Sequence, residues 1–253
     1  MSQTNRLQRH QRAKKSKQPA DRPWVPRLTR SGSWLVLTGT SEVHDGRVVP
    51  RVVGSRFFWT RPVPREDRVS GPELEIVARP YRDIEARLNY TFRDKGLLLD
   101  AFTHDSFPKE LRVTSGSMRP MDFLGDALLK LLISTHLYGC LDPLTNRNLT
   151  ETRQKLECNR FFAYLAVRHG MHKFLRSASG SLNDEVVRYA QSVGDRDYTA
   201  IVAQMPPKPL ADLFEALAAA VYLDSNLDLD ALWCVVYPIF RSHIDRELGH
   251  SPA

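Results

Sequence analysis

The most informative stretch of this 253-residue sequence is residues 121–134, which read Met-Asp-Phe-Leu-Gly-Asp-Ala-Leu-Leu-Lys-Leu-Leu-Ile-Ser. Apolar residues recur here at helical spacing, which predicts a helix that is apolar nearly all round. Asp122 and Asp126 are four residues apart and therefore project from one face of that helix. Like charges at this spacing repel, and burying a carboxylate without a partner is costly. The pair predicts that something positive lies opposite.

A second apolar stretch repeats this anomaly. Residues 210–222 read Leu-Ala-Asp-Leu-Phe-Glu-Ala-Leu-Ala-Ala-Ala-Val-Tyr, with Asp212 and Glu215 three residues apart on one helical face. Pro207 and Lys208 precede the stretch, which is typical of a helix start. Either pair alone is equally well explained as a partly exposed helix start, where acids complement the helix dipole. Both pairs together favour two helices packed around a shared cation.

The residue types at these positions indicate which cation. The absence of Cys or His partners favours Mg²⁺ or Mn²⁺ over zinc, because hard cations prefer oxygen ligands. Gly125 costs a helix about 1 kcal/mol relative to alanine, which the close approach of a second backbone or a ligand would explain. The candidate metal ligands are Asp122, Asp126, Asp212 and Glu215, of which Asp126 and Glu215 are also the catalytic candidates.

Charge is distributed unevenly along the chain. Residues 1–70 contain 15 Lys/Arg and 5 Asp/Glu, whereas residues 71–253 contain 21 and 24. The basic character therefore belongs to the leading segment, which is where a phosphate-binding role is expected. Residues 1–23 predict a basic disordered tail. Its use is left open between a phosphate-binding arm, a nuclear import patch, an organelle transit peptide and a solubilising tail.

Three segments are predicted: the tail (1–23), a small β-like segment and linker (24–75), and a helical domain (76–250). Residues 33–38 and 51–59 are β-branched and aromatic, with Asp45-Gly46 between them, and indicate a hairpin or small sheet. Apolar spacing predicts helices over 81–88, 95–103, 121–138, 150–168, 209–224 and 227–246. The predicted fold is all-α, with a small β-rich or disordered N-terminal extension.

Some classes of protein are excluded. No apolar run approaches the roughly 18 residues of a membrane span, so no membrane partner is expected. Cys140, Cys158 and Cys234 are scattered and form no CxxC pair, which indicates the reduced thiols of an intracellular protein. The nucleus and the cytoplasm both fit this expectation, and the basic N-terminus also fits the mitochondrion.

Four motifs resemble those of the ribonuclease III family. Residues 121–129 are similar to its signature helix, normally Glu-Phe-Leu-Gly-Asp and a small residue, and residues 207–216 to its Pro-Lys-x-Leu-Ala-Asp-x-x-Glu-Ala motif. Leu-Thr-x-x-Arg-x-x-Leu-x-x-Asn at 149–159 matches the intervening helix. Thr-His-Asp-Ser-Phe at 103–107 is similar to a Thr-His-x-Ser-Tyr element. The motifs follow the family's order, and they are most similar to Dicer and plant ribonuclease III-like members.

This resemblance implies a helical endonuclease that cuts double-stranded RNA with Mg²⁺ or Mn²⁺, its four metal-ligand positions falling on Asp122, Asp126, Asp212 and Glu215. It also implies a homodimer, or a pseudo-dimer with another ribonuclease III domain, in which each site cuts one strand. Phe123 is then a candidate anchor of the dimer contact, or else an ordinary core phenylalanine. Lys208 is a candidate RNA contact, or else simply a lysine at a helix start.

The sequence departs from the family pattern at two positions. Asp122 stands where the family normally has glutamate, so the side chain is one methylene shorter. Arg119 stands where bacterial members carry another acid. These departures leave open a catalytically weakened or inactive member that binds or scaffolds RNA or a ribonucleoprotein. Duplex affinity is expected from the dimer surface, the basic N-terminal segment, a separate double-stranded RNA-binding partner or further parts of a longer chain. His104 and Ser106 are expected to position the signature helix.

Overall fold

The computed structural model describes residues 71–142 and 144–249, together with four short strands within residues 27–50. The chain divides into two compact units, residues 1–53 and 54–253. The expected disordered tail at 1–23 and the expected strand at 51–59 lie outside the described residues. The three-segment division of the chain stays a prediction.

The described part of the first unit consists of two antiparallel strand pairs. These are β1 (Arg27–Leu28) with β2 (Trp34–Leu35), and β3 (Ser41–His44) with β4 (Arg47–Pro50). His44 pairs with Arg47, so the two residues between them are the predicted hairpin connection, Asp45-Gly46. The strands that flank these two residues are Ser41–His44 and Arg47–Pro50. The predicted strand at 33–38 is present in part as Trp34–Leu35, but it pairs with Arg27–Leu28. A two-residue connection pairs the residues directly beside it.

The described part of the second unit is all-α, which confirms the predicted fold class. Its described residues form α1 (Pro72–Ala78), α2 (Arg82–Leu88), α3 (Lys95–Ala101), α4 (Arg119–Cys140), α5 (Asn146–Leu156), α6 (Asn159–Arg168), α7 (Gly180–Val193), α8 (Tyr198–Ile201), α9 (Lys208–Asp224) and α10 (Leu229–Glu247). Short 3₁₀ turns occupy residues 79–81, 109–111 and 171–174. Within the described part of residues 71–249, one isolated β-bridge joins Thr103 and Arg176.

The helix expected over 150–168 is instead two helices. Cys158 adopts an extended backbone conformation between α5 and α6, which ends one helix and starts the next. The start of α5 lies earlier than expected, because the side chain of Thr145 caps it by accepting a hydrogen bond from the Asn148 amide. Helices α1 and α7 were not predicted, and α1 begins at Pro72, inside the expected linker.

Helix α9 is the centre of this unit. Nearly all of its residues are buried, and α4 and α6 make the most extensive contacts with it. Buried alanines, such as Ala219 and Ala220, let neighbouring helices approach closely, while Phe214 stacks on Phe162 of α6 with ring centroids 5.5 Å apart. The second acidic motif is therefore carried by a helix that lies in the core of the unit. None of the described helices has the length and apolar character needed to cross a bilayer.

Candidate metal centre

Helices α4 and α9 meet backbone to backbone at Gly125. A Cβ atom at this position would lie 1.8 Å from the carbonyl oxygen of Glu215 and 2.4 Å from its carbonyl carbon. No side chain fits into that space, so glycine is required for the two helices to pack as they do. The second backbone expected beside Gly125 is thus present, and it belongs to the helix that carries the other acidic pair.

This contact brings all four predicted carboxylates together in the acid cluster, which consists of Asp122, Asp126, Asp212 and Glu215. Glu215 is buried, and its burial together with the neighbouring charges of Asp126, Asp212 and Asp122 raises its pKa to about 8. Burial and the charge of Asp212 also raise the pKa of Asp122. The two acidic pairs therefore act on each other across the helix contact, as the sequence predicted.

Two lysines supply the positive charge that the sequence led us to expect. The Nζ atom of Lys130 donates a hydrogen bond to Oδ2 of Asp126 over 2.7 Å, and Lys208 makes the equivalent ion pair with Asp212. Each lysine is four residues from its acid on the same helix. The bond to Asp126 raises the pKa of Lys130, and the bond to Asp212 raises that of Lys208 against the opposing effect of burial.

Lys130 was missed at the level of sequence, although its spacing from Asp126 was a usable signal. Lys208 is the first residue of α9, and its side chain is mostly exposed beside the acid cluster. It is therefore a helix-start residue, as one interpretation expected. The RNA contact stays a prediction.

The donor chemistry of the acid cluster fits a hard divalent cation. Four carboxylates from two helices repel one another, and one of them is buried, so a cation between them would relieve an electrostatic cost. Among the described residues, however, no three His, Cys, Asp or Glu side chains are already arranged to hold a metal. Asp126 and Asp212 are instead held by lysines. A cation at the cluster would therefore compete with Lys130 for Asp126 and with Lys208 for Asp212.

Phe123 lies on the surface of α4 and not in the core. Its side chain is 83% exposed, so the alternative of an ordinary core phenylalanine is wrong. Leu131 and Tyr138 are exposed on the same side of α4, at helical spacing from Phe123. Together with Ala127 they form what we call the exposed apolar strip of α4.

Arg119 is engaged away from the acid cluster. Its Nη1 atom lies 3.2 Å from Oδ2 of Asp105, and the hydrogen bonds from Ser117 and Arg119 lower the pKa of Asp105. Arg119 still acts on Asp122 through space, where it opposes the raised pKa. It does not occupy the cluster as a competing cation.

His104 and Ser106 form a short polar chain. Nδ1 of His104 lies 2.9 Å from Oγ of Ser106, which in turn lies 3.0 Å from Oγ of Ser177. These contacts tie the loop to the segment before α7. The direct link to α4 comes from Thr103, whose carbonyl oxygen accepts a hydrogen bond from the amide of Met118 just before that helix. Positioning of α4 by His104 and Ser106 stays a prediction.

Comparison with known proteins shows that α4 and α9 match a known protein domain. A family model described as the ribonuclease III domain matches residues 120–226, a range that contains the whole acid cluster. The chain carries a ribonuclease III domain. The predicted resemblance is confirmed, including the similarity to Dicer and plant ribonuclease III-like proteins.

The ribonuclease III domain is similar to parts of larger proteins. The chain is 33% identical over 245 residues to endoribonuclease Dcr-1 of Drosophila melanogaster, which is 85% of this chain and 11% of that protein. It is 37% identical over 160 residues to ribonuclease 3-like protein 2 of Arabidopsis thaliana, covering 60% of this chain and 38% of the relative. The chain thus spans about a tenth of the length of the Dicer relatives that it matches.

Solved structures were also matched. One is the nuclease domain of ribonuclease III from Campylobacter jejuni, at 25% identity and a TM-score of 0.47, covering 64% of this chain and 96% of that one.

Proposed function

We propose that this chain is the nuclease domain of an endonuclease that hydrolyses double-stranded RNA with a divalent metal ion. The observation that carries this proposal is the acid cluster at the contact between α4 and α9. Burying a glutamate beside three other carboxylates destabilises a fold unless a cation offsets the repulsion. The cluster lies inside the residues that match the ribonuclease III domain, and the relatives are named endoribonucleases.

In this proposal Asp122, Asp126, Asp212 and Glu215 hold Mg²⁺ or Mn²⁺. When bound there, the ion would supply a water of lowered pKa for attack on phosphorus and positive charge for the leaving oxygen. The chain itself contributes placement. Gly125 allows the two helices to touch, which brings the two acidic pairs together, and Glu215 is the buried member of the cluster. Lys208 is exposed at its rim, where an RNA phosphate would meet its ammonium group.

A second ribonuclease III domain is proposed to dock on the exposed apolar strip of α4. An isolated phenylalanine on the surface needs no explanation, but an aligned set of apolar side chains on one helix favours an interface. The partner domain is either another copy of this chain or a related domain of a longer protein. A separate double-stranded RNA-binding partner also stays a prediction.

The direct test is cleavage of a long RNA duplex by the purified chain with and without Mg²⁺. We expect metal-dependent cleavage that is lost in Asp126→Asn and in Glu215→Gln, because each removes a charged oxygen ligand. Glu151→Gln is a matched control, since Glu151 is an exposed acid on α5 paired with Arg147. Cleavage that survives in both cluster variants would overturn the assignment of the site.

The alternative is a non-catalytic ribonuclease III-fold protein that binds RNA. Two observations favour it: Asp122 is one methylene shorter than the family's glutamate, and lysines already neutralise Asp126 and Asp212. Binding of the duplex without cleavage in either Mg²⁺ or Mn²⁺ would support this alternative. In that case Asp122→Glu tests the cause, because restored cleavage would assign the defect to the shorter ligand.

A further inference from the structure

Lys130 interacts with acidic residues inside and outside the acid cluster. Its Nζ atom is 2.7 Å from Oδ2 of Asp126, a member of the acid cluster. The charges of Glu157 and Glu215 act on the same ammonium group. The bond to Asp126 is an ion pair at the surface, with both side chains partly exposed. Such pairs are weak enough to exchange partners.

Glu157 provides a second acceptor at this place. It follows the last residue of α5, and its side chain is only 15% exposed. Its Oε2 atom is buried and accepts no hydrogen bond from any residue that the structure describes, although Nε of Arg153 lies 3.3 Å away as an ion-pair partner outside hydrogen-bonding geometry. Arg153 offsets part of the charge, but a buried carboxylate oxygen without a hydrogen bond is costly, so an ammonium group that donates to it is stabilised there.

We propose that Lys130 is a positioning residue with two alternative acid partners, Asp126 when the cluster holds no metal and Glu157 when it does. This inference rests on the proposed function. A divalent cation and an ammonium group compete for the same carboxylate, and they repel each other at close range. Arg153, one turn before Glu157, donates a hydrogen bond to Oγ of Ser134, one turn after Lys130, so the end of α5 packs beside this part of α4. The lysine stem is flexible and carries three donors, which suits a change of partner by side-chain rotation.

Lys208 provides an internal contrast. The acids that act on it are Asp212, Asp122 and Glu215, all three members of the acid cluster. The acids that act most strongly on Lys208 thus all belong to the cluster, whereas Glu157, which acts on Lys130, does not. Lys130 and Glu157 together keep Asp126 charge-balanced without metal and release it to the metal.

The test is a double-mutant cycle on Mn²⁺ affinity, measured by titration calorimetry on the folded chain. Lys130→Met keeps the apolar stem but removes the competing charge, and we expect Mn²⁺ to bind about 2–5-fold more tightly, the range set by one exposed ion pair. Glu157→Gln removes the second partner, so Lys130 stays on Asp126 and the affinity falls by a similar factor. In the Lys130→Met background, Glu157→Gln then has no further effect.

The cycle separates a change of partner from a simple electrostatic field. If the two charges act only through space, their effects on the logarithm of the affinity add, and additivity would overturn the proposal. Unchanged affinity in Lys130→Met would overturn it too. Arg147→Met, which removes a cation from another exposed ion pair on α5, is the control and is expected to leave the affinity unchanged.

The failure of this inference is distinguishable from the failure of the proposed function. If the wild type does not bind Mn²⁺, or if Asp126→Asn binds it equally well, the metal site itself is wrong and both proposals are overturned. If Mn²⁺ binding depends on Asp126 but the cycle is additive, only the role of Lys130 is wrong.

Discussion

Three acids of this domain are buried to the same extent, yet their surroundings differ. Glu85, Asp224 and Glu215 are each 7% exposed. Asp224 accepts hydrogen bonds from the Tyr90 hydroxyl and from the amides of Arg93 and Asp94, over 2.8–3.0 Å. Glu85 accepts from the amide of Phe92 and from Nζ of Lys95. The charges that act on Glu215 are mainly those of three more carboxylates, which Lys208 opposes.

This difference separates a structural acid from a functional one better than burial does. Donors surround Asp224 and Glu85, so their negative charge is compensated within the fold and ties the turn at 89–95 to α2 and α9. At Glu215 burial and the three carboxylates outweigh the opposing effect of Lys208, so a negative charge there is compensated only in part within the fold. Strongly perturbed acids of this kind are concentrated at functional sites.

The largest effect is expected where the two acidic helices touch. Gly125→Ala would place a methyl group 1.8 Å from the Glu215 carbonyl oxygen, so the helices must move apart. We expect a loss of at least about 3 kcal/mol in the free energy of unfolding, measured by urea denaturation. Gly139→Ala is the matched control on α4, because its Cβ meets nothing within 4 Å. It is expected to be neutral or to stabilise by up to about 1 kcal/mol. Equal effects of the two substitutions would contradict the close contact.

The next effect concerns the structural acids. Asp224→Ala leaves two backbone amides and a tyrosine hydroxyl without their acceptor. We expect the free energy of unfolding to fall by about 2–3 kcal/mol, at any Mg²⁺ concentration. A loss below about 1 kcal/mol would show that Asp224 is not the structural acid that its contacts indicate.

A smaller effect, of opposite sign, is expected for Glu215 in the absence of metal. Its folded-state pKa of about 8 lies above the ordinary value of 4.5. Below pH 4.5 the carboxyl group is protonated in both the folded and the unfolded chain, and stability is fully present. Between pH 4.5 and 8 only the folded chain retains the proton, so stability falls as pH rises through this range.

Denaturation in EDTA across this pH range checks the prediction. Glu215→Gln cannot lose a proton, so the variant is expected to have a flatter profile and to be more stable than the wild type at pH 8. Parallel profiles for the two proteins would mean that Glu215 is charged in the folded chain at neutral pH.

The smallest effect on stability is expected at the exposed apolar strip. Phe123→Asp changes a residue that is 83% exposed, so the free energy of unfolding of the monomer should shift by less than about 0.5 kcal/mol. Self-association, measured by sedimentation velocity, should weaken. Leu111→Asp is the control, since Leu111 is also exposed but lies in the 3₁₀ turn at 109–111. If both variants associate like the wild type, the strip is not the dimer contact.

The sequence was sufficient for the helices that carry the acids, because α4 and α9 are long and strongly apolar. It was less informative for α1 and α7, which bury only a few side chains, such as Val186 and Tyr189 of α7. The division between α5 and α6 was missed because neither glycine nor proline marks it. An extended backbone at Cys158 makes the break.

The candidate site was also predicted only in part, because helical spacing determines faces but not side-chain partners. Helical spacing alone determines that Asp122 and Asp126 share a face, and an apolar pair of helices carrying two such faces indicates that they meet. Spacing does not determine which partner a flexible side chain chooses. The ion pairs of Lys130 and Lys208, and the buried oxygen of Glu157 beside Lys130, depend on side-chain conformations and on the packing of α5.

Metal-linked stability tests most directly whether the acid cluster is a metal centre. A ligand that binds only the folded chain stabilises it, by about 2.7 kcal/mol at a hundred times its Kd. The measurement is the free energy of unfolding at pH 8 with Mn²⁺ and with EDTA, for the wild type and for Asp126→Asn. We expect a clear gain with Mn²⁺ in the wild type and little or none in the variant. The same gain in both proteins, or none in the wild type, would contradict the account.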